Sequence, residues 1–151
     1  QALVEALLAL AFVVVIITAV VIVVITSLNN ASFTKNQNRT VSYAQEGLDI
    51  ARNMKDSNYQ AFISLSNGYY CANSANIMLQ AEGSCGSVIF TRRIYVNHGG
   101  RDQCGSVRCE VGSSFVASIV YWTDSKCTAG AECHKIQLDA CFFDLNKVSG
   151  P

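Results

Sequence analysis

An uninterrupted apolar run near the start of the chain, Ala6 to Leu28, limits what this sequence can fold into more than any other feature. It holds 23 residues, of which only Thr18, Thr26 and Ser27 are polar. A helix needs about 20 residues to cross a bilayer core of ~30 Å, so the run predicts a membrane-type helix. Glu5, at its head, is the only ionisable side chain among the first 34 residues. An acid is costly in apolar surroundings, which makes Glu5 a candidate functional residue.

Two interpretations of Glu5 stay open from the residues alone. In the first, the carboxylate flanks the span, reaches the headgroup region and matches the positive end of the helix dipole. In the second, it pairs with the α-amino group of Gln1. Within one chain this pair would have poor geometry at a frayed terminus. Between parallel chains offset along their axes, the amine of one chain would neutralise the acid of the other in an apolar bundle, where an unpaired charge is costly.

The start Gln1-Ala2-Leu3-Val4-Glu5, followed by an unbroken apolar helix, resembles mature bacterial type IV pilins and pseudopilins. A second stretch, Ala44 to Asn53 with Asp56 to Tyr59, looks like the first soluble turns of some prepilin-like proteins. The resemblance covers roughly residues 1 to 59. It implies that a prepilin peptidase removed a basic leader and that apolar side chains of the helix form a filament core: Leu3, Leu7, Leu8, Phe12, Ile16 and Val20.

The resemblance also implies a function. The expected protein is a structural subunit with no catalytic residues, cofactors or metal, which waits in the cytoplasmic membrane and joins copies of itself in an extracellular filament for attachment or motility. Its implied partners are the membrane, the prepilin peptidase and the pilus assembly machinery, and the ligand of its head is unknown. The alternatives are a pseudopilin of a type II secretion or DNA-uptake machine and, from another class, a monomeric single-pass anchored extracellular binding domain.

Two departures from the family pattern bear on these expectations. Gln1 replaces the more frequent Phe, so N-methylation of the amine is expected by resemblance only, and cyclisation of Gln1 would remove its charge. Val14 and Ile22 stand where many pilins have Gly and Pro. Without a proline to remove a backbone donor, the sequence gives no local reason for the span to melt.

The helix is expected to continue beyond the apolar run. Asn29 to Thr40 is polar but contains no Pro or Gly, and apolar residues then recur at spacings of three and four: Val41, Ala44, Leu48 and Ala51. This spacing is typical of an amphipathic helix. The predicted helix therefore covers about 2–56, and the predicted organisation is an apolar helix at 1–28, its amphipathic continuation at 29–58 and a head at 59–151.

The sequence of the head, residues 59–151, predicts β-strands. Three stretches are rich in β-branched and aromatic residues: Ser87 to Asn97, Ser113 to Thr123 and His134 to Leu145. In the last of them a shared face is expected to pack on the amphipathic helix: Ile136, Leu138, Ala140 and Phe142. Three or four antiparallel strands on one helix make an α+β fold, and the resemblance implies that this fold is type IV pilin-like.

Seven cysteines, all within the last 81 residues, predict a head stapled by disulfides in an oxidising compartment. Lys35 and Arg39, the only basic residues near the span, would by themselves favour a cytoplasmic head. The cysteines outweigh them, because the implied leader would have carried the charges that set orientation. Zinc is disfavoured, although His134 adjoins Cys133, because the close cysteine pairs are more widely spaced than in most zinc sites.

The connectivity of these cysteines is not fixed by sequence. Three local pairs enclose short segments: Cys71 with Cys85, Cys104 with Cys109, and Cys127 with Cys133. Cys141 is then left over, either as a free buried thiol or as a partner that displaces one of these pairings by reaching back to Cys127.

Other chemistries find little support. Basic and acidic residues number 11 each and are scattered, so there is no clustered basic face for nucleic acid. His98 and His134 lie in no catalytic motif, and no phosphate-binding loop follows a strand. The spacing of four acidic residues in the head matches no compact calcium loop: Asp102, Asp124, Asp139 and Asp144.

Overall fold

The computed structural model divides into two compact units, residues 1–37 and 38–151. The residues it describes are 2–73, 76–81, 85, 90–99, 109, 112–124, 127 and 133–143. Helix α1, Ala2–Ser57, belongs to both units, and the first unit contains no other described element. The prediction of one long helix over about 2–56 is confirmed, and the polar stretch 29–40 is helical throughout.

A second, short helix follows immediately. Asn58 leaves the helical conformation, with φ of −151°, and its side-chain Oδ1 accepts a hydrogen bond of 3.0 Å from the backbone N–H of Ala61. This is an N-cap, and it starts helix α2, Tyr59–Ile63. The cap turns the chain, so that Phe62 of α2 is buried in the core of the second unit.

Within the described residues, five strands form one antiparallel sheet: β1 Gly68–Asn73, β2 Asn76–Ala81, β3 Phe90–Asn97, β4 Ser114–Trp122 and β5 His134–Phe142. Their order across the sheet is β2-β1-β3-β4-β5. The three predicted strands correspond to β3, β4 and β5. The prediction of three or four strands is too low, because β1 and β2 carry few β-branched residues and so give a weak strand signal.

Helix α1 packs on the sheet through small side chains. Its buried residues are Thr40, Ala44, Gly47 and Ala51, at spacings of four, three and four. The predicted face included Val41 and Leu48, which are only partly buried. Compared with the predicted face, the buried stripe is rotated around the helix towards smaller residues. The reason is that the helix backbone approaches the sheet closely at Gly47, where an added Cβ would collide with Ser118.

The main core lies between this helix and one face of the sheet. It joins residues from α1, α2 and four strands: Ala51, Phe62, Tyr70, Ile94, Val96, Val116 and Phe142. Ala140 packs against it as well, so the expected packing of the β5 face is confirmed at Ala140 and Phe142.

The opposite face of the sheet is also covered at its centre. Phe115 is fully buried and Ala117 is 1% exposed, although both point away from α1. They cluster with Ile119 and with the disulfide-bonded Cys109. Strand β4 is therefore buried on both faces, which makes it the most enclosed strand of the described sheet.

Candidate functional site

The apolar part of α1 is exposed on every side. The residues expected to form a filament core, from Leu3 to Val20, have between 56% and 80% of their surface exposed. Val13 and Val14, on other faces of the helix, are 51% and 54% exposed. By length and composition this helix can cross a membrane. Since solvated apolar surface of this extent is unusual on a soluble monomer, the segment requires cover from lipid or from other chains.

Two of the three polar side chains of this segment, Thr18 and Thr26, are satisfied within the helix. Thr18 Oγ1 donates to the carbonyl of Val14 at 3.0 Å or of Val15 at 2.9 Å, and Thr26 Oγ1 donates to the carbonyl of Ile22 at 2.9 Å. Such back-bonding removes the need for an outside partner. These hydroxyls therefore impose no polar contact on whatever surrounds the helix.

Glu5 differs from these threonines. It lies in the first turn of α1 and is exposed. A carboxylate there is favoured by the unpaired backbone N–H groups of the helix start, but it stands in the most apolar part of the chain. Gln1, its expected partner, lies outside the described residues, so the pairing of the two remains a prediction.

The helix and sheet of the second unit are joined by Arg92, which sequence analysis did not single out. Its Nη1 lies 2.9 Å from Glu46 Oε2 and donates to the backbone carbonyl of Tyr43 at 3.2 Å. Its Nε and Nη2 donate to the carbonyl of Ala72 at 3.3 and 3.1 Å. The side chain is 10% exposed. Arg92 thus connects α1, β1 and β3 through charge-assisted hydrogen bonds, and these contacts are not detectable from spacing in the sequence.

Three disulfides staple the described part of the second unit. Cys71 is bonded to Cys85, and Cys127 is bonded to Cys133. Both pairs agree with the local pairing that loop length favoured. The bonded cysteines are separated in sequence by 14 positions in the first pair and by 6 in the second.

The third disulfide corrects the expected connectivity. Cys109 is bonded to Cys141, across a sequence separation of 32. It is therefore not paired with Cys104, and Cys141 is neither free nor bonded to Cys127. The reason is the fold of the sheet: Cys141 pairs across the strands with Phe115, on the face that Cys109 covers. Cys104 lies outside the residues that the structure describes.

His98 has a structural environment at the end of β3. Its Nδ1 lies 2.8 Å from Ser114 Oγ, and its ring packs edge-on against Phe62 with centroids 5.3 Å apart. Burial lowers the pKa of His98, an effect partly opposed by a backbone hydrogen bond with Leu65. Ser114 is 8% exposed. The hydroxyl and imidazole pair joins the end of β3 to β4, and the imidazole ring also contacts α2 at Phe62.

The sequence analysis also missed a contact between His134 and Asp124, beside the Cys127–Cys133 disulfide. His134 Nε2 lies 3.1 Å from Asp124 Oδ2, and both side chains are mostly buried. The sequence signal was present in the neighbouring Cys133 and His134. Asp124 gave no signal, because only the antiparallel pairing of β4 with β5 brings it to the same place.

Comparison with known proteins gives no relative for this chain: no family model, no curated protein and no solved structure matches it.

Proposed function

We propose that this chain is the structural subunit of a type IV pilus, held in the cytoplasmic membrane by its apolar helix and then packed with copies of itself into an extracellular helical filament. The observation that carries the proposal is the apolar segment of α1, exposed all round and headed by a single acid. The resemblance of the first residues to mature pilins supports it.

The apolar segment suits two environments in turn. In lipid, its backbone hydrogen bonds are all internal, as a spanning helix requires. In a bundle of copies, the same side chains pack against each other, and the gain comes from packing because both environments are apolar. Because the apolar side chains favour neither environment strongly, the interaction of a single polar group can determine which chains join the bundle.

Glu5 is that group in the proposal. In the proposal, cleavage before Gln1 gives each subunit a free α-amino group, and that of a neighbouring subunit neutralises Glu5 when the new subunit is in register. An unpaired carboxylate inside the bundle would be strongly unfavourable. Correctly placed subunits are therefore retained, and misplaced ones return to the membrane.

The second unit is suited to exposure outside the cell. Its three disulfides would be maintained in an oxidising compartment, and its sheet is covered at the centre of both faces. In the filament this unit contacts whatever the cell touches, while the prepilin peptidase and the assembly machinery act on the chain beforehand. No catalytic step or cofactor belongs to the proposal.

The proposal is tested by Glu5→Ala in cells that depend on this chain. We expect normal amounts of protein in the membrane and loss or disorder of filaments in sheared surface material seen by electron microscopy. Asp49→Ala is the matched control, because it removes an exposed helix acid that pairs with Arg52, and it should leave filaments intact. Normal filament yield from Glu5→Ala would refute the charge-pairing role.

The wild-type material distinguishes the alternatives. Abundant long surface fibres composed of this chain support the pilus subunit. Short assemblies confined to the periplasm would identify a pseudopilin instead. A chain that remains monomeric in the membrane would identify an anchored binding domain and would overturn the proposal.

A further inference from the structure

Four side chains with metal-binding atoms converge where β4 ends and β5 begins. Asp124, Cys127, Cys133 and His134 place one ligand atom each within 4.8 Å of all the others. His134 Nε2 is 3.1 Å from Asp124 Oδ2, and Cys127 Sγ is 3.5 Å from Asp124 Oδ1. We call these four residues the hairpin cluster. It is the one such group within the part of the chain that the structure describes.

The fold holds the hairpin cluster in place from several sides. Trp122 and His134 are cross-strand partners, and their rings stack with centroids 5.0 Å apart. The backbone N–H of Cys127 donates to the carbonyl of Asp124 at 3.1 Å, and the N–H of Asp124 donates to Cys127 Sγ at 3.3 Å. The imidazole, the carboxylate and one sulfur are therefore positioned by the sheet and by the hydrogen bonds between Asp124 and Cys127.

The donor types match one metal in particular. Zinc prefers four tetrahedral ligands drawn from thiolate, imidazole and carboxylate. At bond lengths of about 2.0 to 2.3 Å, such ligands lie roughly 3.3 to 3.8 Å from one another. The distances from the Asp124 carboxylate, 3.1 Å from Oδ2 to His134 Nε2 and 3.5 Å from Oδ1 to Cys127 Sγ, are close to this range. The two sulfurs, which are bonded to each other in the disulfide, have to separate, and every other pair of ligand atoms is already within 4.8 Å.

We propose that the hairpin cluster is a Zn²⁺ site when Cys127 and Cys133 are in the dithiol state, and that the metal and the disulfide are alternative staples of the same loop. A dithiol reductant supplies the two electrons and two protons that convert the disulfide to two thiols and is itself oxidised to a disulfide. Zn²⁺ then binds both sulfurs as thiolates, with release of two protons, together with His134 Nε2 and one Asp124 oxygen.

Both states would preserve the head. Either staple closes the same segment between Cys127 and Cys133, and neither moves Asp124 or His134 away from the strand ends that hold them. The partial exposure of these two side chains, 16% and 28%, leaves a route for the ion. A chain that has not yet been oxidised would thus keep this hairpin closed.

The test uses the full chain in detergent, reduced with a water-soluble phosphine so that no competing thiol is present. Co²⁺ serves as the spectroscopic probe. We expect one Co²⁺ per chain, with thiolate-to-cobalt charge-transfer absorption and the d–d bands of a tetrahedral site, and displacement by Zn²⁺. The oxidised chain should show neither absorption. A reduced chain without tetrahedral thiolate absorption would overturn the proposal.

Variants separate a built site from binding by loose thiols. His134→Gln and Asp124→Asn should each weaken Co²⁺ binding by roughly 10-fold or more, whereas Asp139→Asn, an acid of β5 outside the hairpin cluster, should not. In the wild type, Zn²⁺ should protect Cys127 and Cys133 from alkylation and leave Cys71 and Cys85 reactive. Equal affinity in all variants, or protection spread over all the cysteines, would show metal capture by an unfolded reduced chain and would refute the site.

Discussion

Gly47 of α1 lies directly over Ser118 of β4, so closely that a Cβ added at position 47 would collide with Ser118 Oγ. The same carbon would also lie 3.1 Å from Arg92 Cδ. Ser118 is fully buried, and its Cβ would lie 3.2 Å from the added carbon, so rotation of the Ser118 hydroxyl would still leave a tight contact. The glycine is thus required by the distance between helix and sheet, although glycine weakens a helix interior by about 1 kcal/mol relative to alanine.

We therefore expect Gly47→Ala to destabilise the second unit despite the better helix propensity of alanine. Overpacking costs about 1 to 3 kcal/mol. Over most of that range the cost is larger than the gain of about 1 kcal/mol from the better helix propensity of alanine. Ser42→Ala, at an exposed position of the same helix, is the control and should be neutral or stabilising. Urea unfolding of the detergent-solubilised chain, followed by the fluorescence of Trp122, the only tryptophan, measures both. A more stable Gly47→Ala, or one not partly rescued by Ser118→Ala, would contradict the packing described.

Arg92→Met should cost more stability than the loss of its ionic partner. The methionine keeps much of the volume but removes every donor to Tyr43, Glu46 and Ala72, and we expect a loss of about 2 to 3 kcal/mol in the free energy of unfolding. Glu46→Gln should cost less than about 1 kcal/mol, since Glu46 is 41% exposed.

The exposed pair of Arg52 and Asp49 provides the control for that series. Their side chains are 55% and 69% exposed, so Asp49→Asn should change the free energy of unfolding by no more than about 0.5 kcal/mol. The same urea titration applies. Equal effects of Arg92→Met and Glu46→Gln would mean that the carbonyl contacts of Arg92 contribute little.

The disulfides should rank by the length of the segment they close. Replacing Cys109 and Cys141 by serine is expected to cost about 4 kcal/mol, and replacing Cys127 and Cys133 about 2 kcal/mol, because a longer loop gains more entropy when released in the unfolded chain. Peptide mapping without reduction tests the connectivity directly. A peptide linking Cys104 to Cys109 would disprove the assigned pairing.

Acid should weaken the second unit through His98. Burial lowers the pKa of His98 below its ordinary value of 6.5, so the unfolded chain binds this proton more readily than the folded chain does. The associated stability is complete above pH 6.5 and is lost as the pH falls through the lowered pKa. Urea unfolding at a series of pH values should show this decline in the wild type and a flatter profile in His98→Gln. His134→Gln, the control, should retain the wild-type dependence on His98.

The extent of α1 was predictable because it rests on local properties. The Ala6 to Leu28 run has the length and composition of a span, and no Pro or Gly interrupts the polar residues that follow. The strands β3, β4 and β5 were likewise visible in their β-branched and aromatic residues. Strand β1 was not visible, because it holds few β-branched residues. Its pairing with β3, which places Tyr70 beside Ile94, is set by the rest of the sheet.

The contacts that hold the second unit together depend on tertiary geometry. Arg92 gave no sequence signal of a structural role, yet its place on the helix-facing side of β3 buries it against α1. Cys141 had no local partner in the sequence, and its pairing with Cys109 was missed because the two are distant in sequence and come close only after β4 and β5 pair. Asp124 lacked any spacing signal for the same reason. Local chemistry identified the elements, and the sheet register determined which side chains meet.

The internal hydrogen bonds of Thr18 and Thr26 have a consequence for how the helix behaves among other apolar surfaces. Since each hydroxyl carries its acceptor with it, sliding or turning this segment past a neighbour breaks no hydrogen bond and exposes no new donor. The segment can therefore exchange one apolar neighbour for another without a polar barrier along these turns. These turns therefore do not fix the axial position of the helix among its neighbours. That position has to be set by other parts of the chain, such as Glu5 or the second unit.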